Sequence, residues 1–258
     1  MAYKGRPIYI VNADDFGFDE NSNQAIVESF AKGLINQTTI MVNMPHASDA
    51  VALAKDAGFF GCVGLHLNLT EGRPLTTEIS NCDRICNGTG NFHGAFLSNE
   101  ALSDQCVRKM VREEIATQIE RYLHYGLTLL HCDGHHHVQA QLHLARIIMP
   151  ILCDYGFVSI RRPANVWKRP WAPHIRSRIL QWKFSCLATS HGLSMAEYFT
   201  GAANVGDICM RIRRKAQVEV MVHPRYDRNG MLVDVTNFKE CRGKQMSEIR
   251  DWTGGIRK

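Results

Sequence analysis

A short apolar run, an amphipathic segment and a glycine recur in that order along most of this chain, and the repetition restricts the fold more than any other feature. Residues 8–11 read as a strand, residues 21–32 carry apolar positions at helical spacing, and Gly33 stops them. Residues 38–42 are rich in β-formers, 48–57 are helical with Ser48 as a candidate N-cap and Gly58 beyond, and 62–67 form the next strand. Val107, Met110, Val111, Ile115, Ile119, Tyr122 and Leu123 make an apolar stripe that predicts a helix over 103–125, closed by Gly126. A strand at 128–132, a helix at 142–155, a strand at 157–160 and a helix at 175–187 follow. Asp207 is a candidate cap for a helix at 208–215, and 218–222 is a strand. Strand and helix alternating without a Pro- or Gly-rich linker predict one α/β domain over 1–258 with a largely parallel sheet. No closing strand is legible after residue 230.

Polar residues decide between a barrel and an open sheet. Asp14 and Asp15, His66 and Asn68, Asp133 and His135, Arg161 and Arg162, and His223 each end a different candidate strand. In a (β/α) barrel those ends converge on one face, whereas an open doubly wound sheet concentrates its site at one crevice. The expectation is therefore a TIM-barrel-like fold. Residues 75–97, with Gly88, Gly90 and Gly94, read as a long loop or lid on that face.

Composition narrows the class of partner. At 258 residues, 45% hydrophobic and 21% charged, the chain is neither fibrous nor disordered. A formal charge of +5 is small for this length and implies no nucleic-acid partner. Basic residues cluster at Arg161, Arg162, Lys168, Arg169, Arg176 and Arg178, and again at Arg211, Arg213, Arg214 and Lys215, as solvated faces or an anion site. Nine scattered cysteines without a Cys-x-x-Cys fit a reducing cytoplasm, and no apolar window is long enough to span a membrane. There is no Gly-x-Gly-x-x-Gly, no phosphate-loop Gly-Lys-Ser/Thr and no Gly-x-Ser-x-Gly.

Four motifs carry chemistry. Asp133-Gly134-His135-His136-His137-Val138-Gln139 follows a strand; it reads as a metal site or as a solvated His-rich loop. Adjacent side chains point different ways, so one or two of the imidazoles can reach the same ion, and His136 and His137 take no assigned role. Asp14 and Asp15 leave the first strand as a helix cap and its neighbour, or as one metal ligand beside one free base. His66 and Asn68 alternate onto one face of a strand end. Joined to Asp15 and His135, His66 completes a set of two imidazoles and one carboxylate, which leaves open positions as catalytic centres do. His223 ends a strand at Pro224, a weaker candidate for an acid.

The stretches VNADDFGFDENSNQAI, GLINQTTIMVNM, VGLHLNLTEGRPL, EEIATQIERYLHYGL, HCDGHHHV and EVMVHP resemble the YdjC-like carbohydrate deacetylase family, which includes chitooligosaccharide deacetylases. The resemblance implies an irregular (β/α) barrel that binds one divalent cation, magnesium or zinc, through Asp15, His66 and His135. It also implies removal of an acetyl group from an N-acetylated sugar. Asp14 is then expected to act as general base toward a water activated by the cation, and His223 as acid toward the leaving amine. Arg161 and Asn68 are expected to contact substrate, with Arg161 or Arg162 alternatively orienting Asp14. Phe16, Phe92, Phe96, Trp167 and Trp171 are sugar-stacking walls or core. The family often places a further His where this chain has Gln139, and residues 164–200 match it thinly. A non-haem iron oxygenase and a non-catalytic carbohydrate- or anion-binding module compete with this reading. A homodimer is the expected assembly, because symmetric dimers are the commonest oligomers.

Overall fold

The computed structural model describes residues 7–94, 97–166, 175–202, 215–235 and 244–246. Strands β1 (Ile8–Phe16), β2 (Gln37–Ile40), β3 (Val63–Leu67), β4 (His131–Gly134), β5 (Ser159–Ile160), β6 (Tyr198–Gly201) and β7 (Gln217–Val222) form one sheet in the order β5-β4-β3-β2-β1-β7-β6. Every pairing within it is parallel. Parallel neighbours need crossovers. These are α1 (Glu20–Ala31), α2 (Ala47–Asp56), the short α3 (Thr77–Ser80) with the long α4 (Gln105–His124), α5 (Leu142–Asp154) and α6 (Ile175–Ser190).

One stretch of chain joins the two edges of the curled sheet. Ser194 bridges Ser159 of β5, its N–H donating to Val158 O at 2.9 Å and its C=O accepting from Ile160 N–H at 3.0 Å. A few residues later the same stretch becomes β6 and pairs with β7. Between these contacts Asn165 Nδ2 donates to Glu197 O at 2.9 Å, and Arg162 donates to the same carbonyl. The result is an irregular (β/α) barrel whose closing segment precedes β7 instead of lying in the tail. After β7 the chain forms a small antiparallel sheet of β8 (Pro224–Tyr226), β9 (Leu232–Asp234) and β10 (Lys244–Gln245).

Period-2 alternation along the strands sorts side chains between two environments. Val11 and Ala13, Val63 and Leu65, Cys132, and Val218 and Val220 pack with Ile26, Ala50, Ile115 and Ile148 in the core between sheet and helices. The alternate positions Asn12, Asp14, Thr39, His66, Asp133 and Glu219 are buried and polar. These face the barrel interior and bond one another or Arg161, apart from Asn12 Oδ1, which has no partner among the described residues. Gly64 shares that inner face; a Cβ there would stand 2.9 Å from His131 O and 3.2 Å from Thr39 Cγ2.

The α4 stripe behaves as its spacing predicts. Asp104 caps the helix by accepting from Cys106 N, and Val107, Val111, Ile115, Ile119 and Tyr122 are buried. Each such side chain contributes about 1.5–3 kcal/mol of apolar transfer. Leu123 stands at the edge of the stripe, 37% exposed. Elsewhere the boundaries move. His46, not Ser48, precedes α2 as its N-cap, and β4 begins at His131, later than the expected 128. The expected lid at 75–97 is a packed cap: Ile79, Ile85, Cys86 and Phe92 are buried, and Phe92 N–H donates to Gly72 O at 2.9 Å. The helix expected at 208–215 lies outside the described residues apart from Lys215, as do Phe96, Trp167, Lys168, Arg169, Trp171, Arg211, Arg213 and Arg214. Among the described residues no helix is long and apolar enough to cross a membrane.

Candidate metal centre and active site

Asp15, His66 and His135, carried by the C-terminal ends of β1 and β3 and the turn after β4, converge in the barrel mouth. Their donor atoms all lie within 4.8 Å of one another. Asp15 Oδ1 is 3.2 Å from His66 Nε2 and 2.8 Å from His135 Nδ1. Asp15 adopts a left-handed backbone, φ 65°, which costs a non-glycine residue roughly 1–2 kcal/mol. The turn turns away sharply at Gly17, φ 89°, where a Cβ would meet Ala47 Cα at 3.1 Å. Burial opposes the charge on Asp15, yet hydrogen bonds from His135 and His66 hold its carboxyl well below the usual carboxylate range.

Each imidazole has a second carboxylate on its far nitrogen. His66 Nδ1 is 2.6 Å from Asp133 Oδ1, a fully buried pair. Burial alone would strip the His66 proton, but the Asp133 carboxylate outweighs it and raises the imidazole to about 10. His135 Nε2 is 3.0 Å from Glu71 Oε2. Burial likewise opposes the charge of His135, and hydrogen bonds to Asp15 and Glu71 raise it. A cation at the Asp15 side would take the place of protons on these nitrogens. Neutral imidazole and carboxylate are the donors a borderline metal ion uses, so the set fits a divalent cation of the zinc type.

Asp14 sits beside this cluster, one of its oxygens within 4.8 Å of a His66 nitrogen. Arg161 grips it in a fork, Nη1 to Oδ2 at 2.6 Å and Nη2 to Oδ1 at 2.7 Å, and Asn12 Nδ2 adds a bond at 2.8 Å. The same guanidinium forms an ion pair with Asp133, Nη2 to Oδ2 at 2.7 Å, and donates through Nε to Glu219. Arg161 is fully buried, its guanidinium taken up by Asp14, Asp133 and Glu219. Asn68 is also fully buried: its side chain holds the backbone of Thr70 and Glu71, and its own backbone is held by Gln118. The side chains of both residues expected to contact substrate are buried and bonded to the protein's own groups. Phe16 is likewise sealed in the core against Phe59.

His223 reaches the cluster from β7, its Nε2 4.0 Å from Asp15 Oδ2 and its side chain 19% exposed. Among the described residues its Nδ1 has no partner. Its backbone N–H donates to Asp234 Oδ1 at 2.7 Å. The segment that follows hangs on the start of α1: Arg225 pairs with Asp19 and donates to Ser22 Oγ at 2.8 Å, and Asn21 exchanges bonds with both backbone groups of Tyr226. His136 and His137 are exposed and left-handed, φ 52° and 57°. Although the residue as a whole is solvent-exposed, the protein packed around the ring of His137 and then the nearby Arg161 guanidinium lower it to about 4. Gln139 is fully buried, with neither amide atom partnered among the described residues.

Asp133, Glu71 and Glu219 escaped the sequence reading as site residues. The alternation of β4 carries a signal for Asp133, since it places His131 and Asp133 on one face and Cys132 on the other. Glu71 and Glu219 meet their partners only through the folded barrel.

A family model described as YdjC-like protein matches residues 9–252. The chain belongs to the YdjC-like family. Carbohydrate deacetylases are among the curated proteins similar to this YdjC-like chain. That of Geobacillus stearothermophilus is 41% identical over 131 residues, 50% of this chain and 49% of its own. Another, from Vibrio cholerae, is 40% identical over 149 residues, 57% of this chain and 55% of its own. That of Danio rerio is 35% identical over 156 residues, 60% and 49% of the two chains. The matched stretch thus spans about half the length of these relatives. A crystal structure from Enterococcus faecalis V583, described as a candidate cellobiose-phosphate cleavage protein, covers 97% of this chain and 96% of its own with a TM-score of 0.69. At 17% identity it shows that the YdjC-like chain shares that fold.

Proposed function

We propose that this chain removes an acetyl group from an N-acetylated sugar, using a divalent cation held by Asp15, His66 and His135. One observation carries the reading: a carboxylate, Asp14, is fixed by the Arg161 fork directly beside a two-imidazole, one-carboxylate cluster. Deacetylases related over half the chain support the reaction class.

When bound, the cation supplies Lewis acidity toward the amide carbonyl and toward a water. Asp14 accepts a proton from that water, and the two Arg161 bonds keep its carboxylate aimed while it does so. The water oxygen forms the new bond to the acetyl carbon, and the carbon–nitrogen bond breaks. His223, the partly exposed imidazole at the mouth, gives the departing amine its proton, so acetate and a free amino sugar leave. Two imidazoles favour zinc or a first-row neighbour over magnesium, which prefers oxygen ligands. The same donors serve non-haem iron; the tethered Asp14 favours hydrolysis, which needs a base beside the metal.

Acetate release from N-acetylglucosamine oligosaccharides tests the proposal, using native, chelated and metal-restored protein and Asp14→Asn. Release is expected to require the metal and to fall by about 10²–10⁴ in Asp14→Asn with metal retained. Full activity in that variant would remove Asp14 from its role, and iron-dependent oxygen consumption without acetate would replace the reaction.

A further inference from the structure

His135 stands between two carboxylates, with Nδ1 2.8 Å from Asp15 Oδ1 and Nε2 3.0 Å from Glu71 Oε2. An imidazole that ligates a cation presents a bare nitrogen and carries its proton on the other one. His66 resolves this choice with Asp133 on Nδ1, which leaves Nε2 facing Asp15. At His135 the arrangement is reversed, and the carboxylate that selects the tautomer is Glu71.

Glu71 is 43% exposed at its side chain, where an ordinary surface glutamate would wander. Its backbone is locked. Asn68 Oδ1 accepts the Glu71 N–H at 3.0 Å, and the Glu71 carbonyl accepts from Asn68 Nδ2 at 2.7 Å and from Asn43 Nδ2 at 3.3 Å. Asn68 is itself held at N–H and C=O by Gln118 of α4, at 3.1 and 2.7 Å, and Gln118 bonds Glu114 at 2.8 Å. Glu114, fully buried, also holds the backbone N–H groups of Leu75 and Thr76. Buried amides from the segments that follow β2 and β3 and from α4 thus converge to aim one half-exposed carboxylate at the far side of a ligand imidazole.

We propose that Glu71 is a positioning residue of the metal centre: by accepting from Nε2–H it fixes the ring of His135 and selects Nδ1 as the atom offered to the cation. The role rests on the metal reading above. It makes the centre asymmetric, His66 presenting Nε2 and His135 presenting Nδ1.

The test uses the full chain and its Glu71→Ala and Glu71→Gln variants, with zinc(II) competed against a chromogenic chelator and with nitrogen-15 spectra of the imidazoles. Glu71→Ala is expected to lose about 10- to 100-fold in zinc affinity. Its metal-free melting temperature is expected to stay near that of the unaltered protein, because the backbone clamps remain. Glu71→Gln keeps an acceptor for Nε2–H and is expected to recover most of the loss. In metal-free protein in alkaline buffer, where Asp15 competes as an acceptor from Nδ1–H, the Nε2–H share of neutral His135 is expected to fall in Glu71→Ala. Unchanged zinc affinity with an unchanged tautomer overturns the proposal, as does an equal loss in both variants. If the unaltered protein takes up no zinc, the metal reading falls, while the tautomer spectra still decide what Glu71 does to His135.

Discussion

Replacing Arg161 by lysine keeps a buried cation but removes the fork, and the structure says how much that costs. The guanidinium serves three carboxylates at once: Asp14 by two bonds, Asp133 by Nη2 and Glu219 by Nε. All four groups are nearly or fully buried. An ammonium on a flexible stem cannot reach all three in their present directions. If two carboxylates lose their charged partner at about 1.5–3 kcal/mol each, Arg161→Lys destabilises the fold by about 3–6 kcal/mol. For 258 residues the unfolding entropy is about 0.5 kcal/mol/K, so the melting temperature is expected to fall by roughly 6–11 °C. Differential scanning calorimetry of the metal-loaded protein reads this directly. Where the variant folds, acetate release should fall by about 100-fold, the cost of a base displaced by about 1 Å. A melting temperature within about 2 °C of the unaltered protein would refute the reasoning, because it would mean the three carboxylates do not depend on the planar fork.

Gly64→Ala should destabilise by about 1–3 kcal/mol in chemical denaturation, since the added methyl meets His131 O at 2.9 Å and backbone must move to admit it. Asp19 gives an acid-side prediction. Burial opposes its charge, but the Ser22 N–H and Arg225 hold its carboxyl below the usual value. A depressed folded pKa contributes stability that is present above the unfolded value of about 3.9 and is lost as the pH falls through the folded one. Asp19→Asn should therefore lower stability at neutral pH and flatten the decline in that acid window, read by urea unfolding as a function of pH.

Periodicity exposed most of the elements because each helix needs an apolar stripe and each strand an apolar face against it. The stripe from Val107 to Tyr122 marked α4 within two residues at the N-terminal end. The convergence of Asp15, His66 and His135 was legible too, since parallel strands of a barrel bring their ends to one face. What stayed hidden was pairing across the barrel. Arg161 reads as a substrate contact, or as one of two arginines able to orient Asp14, because nothing local places Asp133 and Glu219 around it as well, contributed as they are by two further strands. The closing segment stayed hidden for a related reason. Ser194 and Tyr198 belong to different edges of one sheet, and a stretch that bridges two edges needs no regular run of its own.

The inward polar face of the strands has an evolutionary consequence. In a barrel filled with aliphatic side chains, catalysis and cohesion occupy separate residues, and either can drift while the other persists. Here Asp14, Asp133, Glu219 and Arg161 hold the strands together with the same bonds that fix the proposed base, so a descendant released from selection on activity cannot discard them without rebuilding the interior. Its first losses would fall at the rim, on Glu71 and His223, where a side chain can change while the barrel stands.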